Sequence, residues 1–204
     1  SSALAPYIRY QRAAIHNKHG RYDEALENLQ GIIAGYPLFP NMQDVQFWMA
    51  ENQYYTGQFK LSAQNYTLYL GNYSEGDKRP AAFYGRAFSR MELKNYRESM
   101  SDFAALLEQH PEHELCADAA FQAGKLALLL EESGLATGFF QRAIQLNRDD
   151  EARKSEAQAW ISYENEKYEK AAAAFDLAAA AYPGRDADGT LDPHRAEMMF
   201  LSAL

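Results

Sequence analysis

Four histidines stand in two close pairs, His16 with His19 and His110 with His113. Side chains three apart on a helix share a face, so the first pair could offer two imidazole ligands to a zinc ion. A closed zinc site needs four ligands. Glu112 and Glu114 adjoin the second pair, but neither pair has an obvious third and fourth ligand. Both pairs are read as solvated turn residues, and no metal is expected. The segment DADGTLDPHRAE places Asp186, Asp188, Thr190, Asp192 and Glu197 at positions 1, 3, 5, 7 and 12 of a calcium loop. Its glycine falls at position 4 instead of 6, and Pro193 takes a position that is normally apolar. An acidic loop leading into a helix cap is the better reading. The single cysteine, Cys116, excludes an internal disulfide and a cysteine zinc cluster, and reads as a small packing residue. Asn65 in NYT and Asn72 in NYS match the glycosylation pattern, but Asn65 falls inside a predicted helix and both are read as incidental. There is no glycine-rich phosphate loop, no GxSxG, no HExxH and no carboxylate pair framed by apolar residues. The acidic residues read as spread over solvent faces. The chain is read as non-enzymatic, with no cofactor.

Charge and hydropathy narrow the partners. With 28 acidic against 20 basic residues the 204-residue chain carries a net charge of −8. That balance argues against nucleic acid, which needs a basic footprint, and against an electrostatic grip on an anionic membrane. Purely apolar runs are short, as in Leu126–Leu130, and the alanine-rich stretch AAAAFDLAAAAY carries Asp176, so no segment reads as membrane-spanning. No signal peptide is visible at the start.

The elements that position these residues repeat. Stepping by 37 residues gives Tyr22, Phe59 and Tyr96; Leu29, Tyr66, Phe103 and Phe140; Ile33, Leu70, Leu107 and Ile144. Small residues keep the same step in Ala25, Ser62, Ser99 and Ala136, and again in Ala13, Ala50, Ala87 and Gly124. An aromatic precedes each of the last set by three positions: Tyr10, Phe47, Tyr84 and Phe121. A fifth copy follows with a slightly shorter step, aligning Tyr168, Ala171 and Phe175 with Tyr96, Ser99 and Phe103. Registers held over this many copies define a repeat protein.

Each copy reads as two antiparallel helices joined by a tight turn near Gly20, Gly57, Lys94–Asn95 or Ser133. All seven prolines fall at repeat edges, where a missing donor and a fixed φ do no harm. No stretch alternates as a strand would, so the class is all-α. One helical hairpin cannot bury its apolar stripe alone, so the hairpins stack as a solenoid.

The pattern of an aromatic, two residues and a small residue, followed by GRYDEALENLQGIIAGYP, GQFKLSAQNYTLYLGNYS, KNYRESMSDFAALLEQHP, ESGLATGFFQRAIQLNR and KYEKAAAAFDLAAAAYP, resembles the tetratricopeptide repeat. The resemblance implies a right-handed α-α superhelix with repeats at about 4–39, 41–76, 78–113, 115–148 and 150–184, and the start of a sixth first helix at 193–204. That last helix, capped by Asp192 with Pro193 at its first position, is expected to belong to an array that continues in a longer protein. Two features depart from the family. The fourth copy has Ser133 for the usual aromatic and Arg148 for proline, which predicts an irregular turn. The 37-residue step exceeds the family's usual length of about 34 and implies longer junctions. Those junctions are similar to a bacterial subset that includes envelope proteins of the outer-membrane assembly and Tol-Pal coordination type. That similarity implies a periplasmic or envelope-associated location, with a cytoplasmic one as the alternative.

Family members use their first helices to line a groove for peptides. Carried over, the groove face includes Asp44, Trp48, Glu51 and Tyr55, then Phe88 and Glu92, then Asp118, Lys125 and Leu129, then Arg153, Trp160 and Glu164. Spacings such as Asp44–Trp48–Glu51–Tyr55 and Phe88–Glu92 keep those side chains on one helical face. The competing reading makes Trp48, Tyr55 and Trp160 packing between repeats. The family's carboxylate clamp for acidic tails is absent, since Tyr10, Ala14 and Trp48 stand at the corresponding positions. The expected function is a scaffold binding a peptide or helix of a partner protein. The alternatives are an envelope assembly module that self-associates through open repeat ends, and a recruiting arm of a larger enzyme.

Overall fold

A computed structural model describes residues 3–147, 150–182 and 192–203. Among these the chain forms eleven helices and no strand. They are α1 (Ala5–Lys18), α2 (Tyr22–Gly35), α3 (Met42–Tyr55), α4 (Phe59–Asn72), α5 (Arg79–Glu92), α6 (Tyr96–Gln109), α7 (Cys116–Leu129), α8 (Ser133–Leu146), α9 (Glu151–Glu164), α10 (Tyr168–Ala181) and α11 (Pro193–Ser202). Helices of this length are marginal alone in water, so tertiary packing must hold them. Asp150 and Asp192 cap α9 and α11, each carboxylate accepting a backbone N–H three residues on at 2.9 Å.

Five turns close the hairpins in the same way. Gly20, Gly57, Lys94, Glu131 and Glu166 all take left-handed backbone, with φ of 68°, 74°, 61°, 59° and 58°. Each donates its N–H to the carbonyl three residues back, and the next residue donates to the carbonyl five back, as in Gly57 to Tyr54 and Gln58 to Gln53. This is the Schellman helix end, which satisfies carbonyls that the helix leaves orphaned. The fourth turn differs from the sequence expectation. Its left-handed residue is Glu131, not Ser133, which instead opens α8, and Glu131 and Glu132 make the same two bonds to Leu128 and Ala127. The turn is regular because its geometry rests on backbone bonds and not on the aromatic that follows.

Both registers of small residues are buried, and they face each other within each hairpin. Ser62 Oγ lies 2.8 Å from the Ala50 carbonyl, and Ser99 Oγ donates to the Ala87 carbonyl at 2.7 Å. Only backbones in near contact allow a hydroxyl that short to reach across. Ala13, Ala25, Ala136 and Ala159 hold the same places with no exposed surface. In the fourth hairpin the first-helix place is Gly124, where a Cβ would come within 2.8 Å of the Phe140 ring. The large register Leu29, Tyr66, Phe103, Phe140 and Phe175 fills the space beside these contacts and is at most 2% exposed. The register led by Ile33 lies on the flank, with Ile33 itself 43% exposed, while its neighbours Ile32, Tyr69, Leu106 and Ala143 are the buried ones.

Helix pairs α1–α2, α3–α4, α7–α8 and α9–α10 pack as hairpins, and α2–α3, α4–α5, α8–α9 and α10–α11 join successive ones. The chain is an all-α solenoid of helix hairpins. It divides into two compact units, Ser1–Leu106 and Leu107–Leu204. The expectation that acidic side chains keep to solvent faces fails in both. Asp102 in the first is 3% exposed and held by Arg86 and Arg90. Glu156 in the second is 1% exposed and accepts the Tyr182 hydroxyl at 2.5 Å. A buried carboxylate is tolerated when it accepts hydrogen bonds, and here Arg86 and Arg90 of α5 and Tyr182, just after α10, supply the donors.

Candidate functional site

In the first unit, α3 and α5 are successive first helices and α4 lies behind them. Phe47, Glu51, Tyr54 and Tyr55 of α3 and Ala81, Tyr84, Gly85 and Phe88 of α5 recur at helical spacing, so each helix turns one edge to the other. Between them lies an open cleft of about 370 Å³, floored by Tyr66 of α4. Gly85 makes the floor possible, because a Cβ there would overlap the Tyr66 phenol. Phe88 stands edge-on to Phe103 at 5.5 Å and beside Tyr84 at 4.8 Å, which fixes its ring while leaving the residue half-buried.

Glu51 is the charged group of this cleft. Its carboxylate accepts the Tyr66 hydroxyl, and among the described residues no cation pairs with it. Burial pushes the Glu51 carboxyl above the usual glutamate range, against the pull of the Tyr66 hydrogen bond. Burial likewise raises the Tyr54 and Tyr55 phenols, and the nearby carboxylates add to it. A carboxyl whose pKa is higher folded than unfolded loses stabilisation as pH rises through its folded value. Glu51→Gln therefore raises the urea midpoint at pH 7.5, and this gain shrinks on acidification to pH 4. Equal midpoints at both pH values would contradict the burial.

The remaining groove candidates are distributed as follows. Asp44 accepts the Tyr10 hydroxyl at 3.0 Å and pairs with Lys78 at 2.8 Å, so it ties α1 and the start of α5 to α3. Trp48 stacks on Tyr10 with centroids 5.5 Å apart, and Tyr55, still 56% exposed, stacks on Tyr22 at 4.6 Å. Glu92 is exposed at the end of α5. In the second unit, Asp118 pairs with Arg153 at 3.1 Å, and the Arg153 and Lys125 cations lie 4.9 and 6.0 Å from the Phe121 ring centroid. Trp160 meets Phe175 edge-on at 5.2 Å and borders a cleft of about 510 Å³ with Tyr163, Tyr168 and Leu201. Leu129 is exposed, and Glu164 is half-buried.

Of the residues that line this cleft, the sequence reading named Glu51, Tyr55 and Phe88 as groove candidates and did not name Tyr54, Tyr66, Tyr84 and Gly85. The signal for two of them was present. Tyr66 puts a hydroxyl where Leu29, Phe103 and Phe140 have none, and a buried hydroxyl needs a partner. Gly85 stands one repeat after Trp48, so the largest side chain gives way to none.

Among the described residues no three of His, Cys, Asp and Glu stand together as a metal site. Asp186, Asp188 and Thr190 of the calcium-loop pattern lie outside the described residues. Cys116 is buried, with Sγ 3.0 Å from the His110 carbonyl. No helix among the described residues is long and apolar enough to cross a membrane.

Residues 81–113, which cover most of α5 and all of α6, match the tetratricopeptide repeat family. A search of curated protein sequences returns no match to the chain. The fold is similar to that of a tetratricopeptide repeat protein from Parabacteroides merdae ATCC 43184, with a TM-score of 0.78 and 19% identity over 98% of this chain and 75% of that one. It is also similar to MamA from Desulfovibrio magneticus RS-1, with a TM-score of 0.73 and 14% identity over 89% of this chain and 97% of that one. At such identities the likeness is one of fold.

Proposed function

We propose that this tetratricopeptide-repeat protein is a non-catalytic scaffold that holds a peptide or a helix of a partner protein along its first helices. The observation that carries the reading is the open aromatic cleft between α3 and α5. Its walls stand on buried rings, so they keep their shape without a ligand, and a preformed surface spares ordering entropy on binding. Glu51, Tyr55, Phe88 and Glu92 are the contact residues in the first unit. Asp44 and Trp48 hold the neighbouring helices in place beside them. In the second unit Lys125 and Trp160 offer a separate contact. The net charge of −8 favours a basic or neutral segment over an acidic one.

The test is affinity capture with the chain and with Phe88→Ala/Glu92→Lys side by side, both shown helical by circular dichroism. The expected result is a partner kept by the parent and lost, at least tenfold, by the variant. Equal capture by both would move the contact away from this cleft. A self-association reading draws on the exposed apolar side chains Ile8 of α1 and Phe200 of α11, 51% and 66% exposed. It would show as a mass that rises with concentration and is indifferent to the Phe88 substitution.

A further inference from the structure

Glu51, with Phe47 and Tyr55, also borders a second cleft, which Phe88 does not line. This cavity of about 260 Å³ lies between α3 and the hairpin α1–α2. The chemistry of its lining is one-sided. Tyr22, Trp48 and Tyr55 supply aromatic surface, and Glu51, Asn17 and Asn52 supply the polar groups. Asn52 is 1% exposed, and its Nδ2 donates to the Trp48 carbonyl at 2.7 Å, which fixes the orientation of the amide. Its Oδ1 is thus an acceptor, and among the described residues nothing donates to it. The Oδ1 of Asn17 is buried and without a donor as well. No lysine, arginine or histidine is among the residues lining the cleft. Buried acceptors are ordinarily satisfied, so the orphaned Asn52 oxygen, in a lining that also holds the Glu51 carboxylate, marks a place short of donors.

We propose that this cleft takes the protonated side chain of a lysine or arginine from the partner segment. The inference rests on the groove reading above and names the chemistry of one position in it. An ammonium carries three donors and a guanidinium five, with no acceptor, which complements the Glu51 carboxylate and the Asn52 amide oxygen. The flat cation or its aliphatic stem packs on indole and phenol faces, whose quadrupole attracts positive charge. An acidic chain draws such a segment in and repels an acidic one. Phe88 lines only the α3–α5 cleft, so the two contacts can be separated by mutation.

The test uses small probes on the full chain carrying Trp160→Phe, which leaves Trp48 as the one indole. n-Butylguanidinium, n-butylammonium and the neutral n-butylurea are titrated at pH 7.5 while the Trp48 indole N–H resonance is followed. The expected result is a saturable shift with one or both cations and at least tenfold weaker binding of the urea. Glu51→Gln should weaken the better cation at least tenfold, and Phe88→Ala should change it less than twofold. The ratio of the two cations distinguishes an arginine site from a lysine site. The proposal is overturned if the urea binds as well as the cations, if Glu51→Gln leaves cation binding unchanged, or if no cation moves the Trp48 signal. A chain that loses its protein partner on Phe88→Ala/Glu92→Lys yet ignores every cation keeps the groove reading and sinks this one. Cation binding that depends on Glu51 supports the proposal even where partner capture survives the Phe88 variant.

Discussion

Asp102→Ala lowers the free energy of unfolding by about 3–5 kcal/mol, read from urea denaturation at pH 7. Asp102 lies on α6 with 3% of its surface exposed. Both Nε and Nη2 of Arg86 donate to it, at 3.1 and 2.6 Å, and Nη1 of Arg90 donates at 2.6 Å. The arginines sit one turn apart on α5, and their side chains are only 14% and 25% exposed. Burial pushes the carboxyl upward while the two guanidiniums oppose it, so the site is a balance of large effects. Alanine removes the anion and leaves two partly desolvated cations facing each other, which is the costly way to break a buried pair. Arg86 would keep its bond to Thr67 Oγ1 at 3.1 Å and Arg90 its bond to the Glu98 carbonyl at 3.3 Å. Those residual bonds hold the cations in the wound instead of letting them swing out to water. The triple change Asp102→Leu, Arg86→Met and Arg90→Met should recover most of the loss, because an apolar replacement of similar volume removes the desolvation cost together with the attraction. A loss below about 1 kcal/mol for Asp102→Ala would place the cluster with surface ion pairs and refute the argument.

Asp102 also shows where the sequence stops being legible. The helical class, the hairpins and the core register were readable because each rests on spacing. Leu29, Tyr66, Phe103 and Phe140 are one step apart, and all are buried. The small residues at Ala50 and Ser62 were readable as close-packing positions, though not that one face meets the other. A charged residue next to Phe103 looks like the solvent edge of the stripe. Its burial is decided by Arg86 and Arg90 on another helix, and one chain without its packing does not reveal which arginines point inward. The same limit applies to the clefts. The spacing of Glu51, Tyr55 and Phe88 put them on helix faces, but their opening onto a cleft depends on Gly85 admitting Tyr66 from behind. Asn17 and Asn52 carry no signal at all until their amide oxygens are found without donors. Trp48 was readable both as groove and as packing, and its stacking on Tyr10 gives weight to the second.

Phe103→Ala should cost about 3–5 kcal/mol as well, by the different route of an unfilled cavity. The ring has no exposed surface and lies edge-on to Tyr84 at 5.7 Å and to Phe88 at 5.5 Å. Removing it takes away apolar burial and two ring contacts, and the close approach of Ser99 to Ala87 keeps α6 from collapsing into the space. Phe88 then loses the surface that fixes its ring, so partner capture through the α3–α5 cleft should fall even under conditions where the helices remain formed. Phe103→Leu, which keeps most of the volume, should lose less stability and retain capture. Tyr55→Ala provides the contrast, since Tyr55 is 56% exposed and its ring meets Tyr22 at 4.6 Å and Tyr54 at 5.7 Å. Its removal should cost no more than about 1 kcal/mol while still weakening the partner. Hydrogen exchange on Phe103→Ala should show the loss of protection concentrated in α5 and α6, the two helices that the ring joins. If stability falls while capture is untouched, Phe88 owes its position to something other than Phe103, and the supporting role assigned to the core ring is wrong.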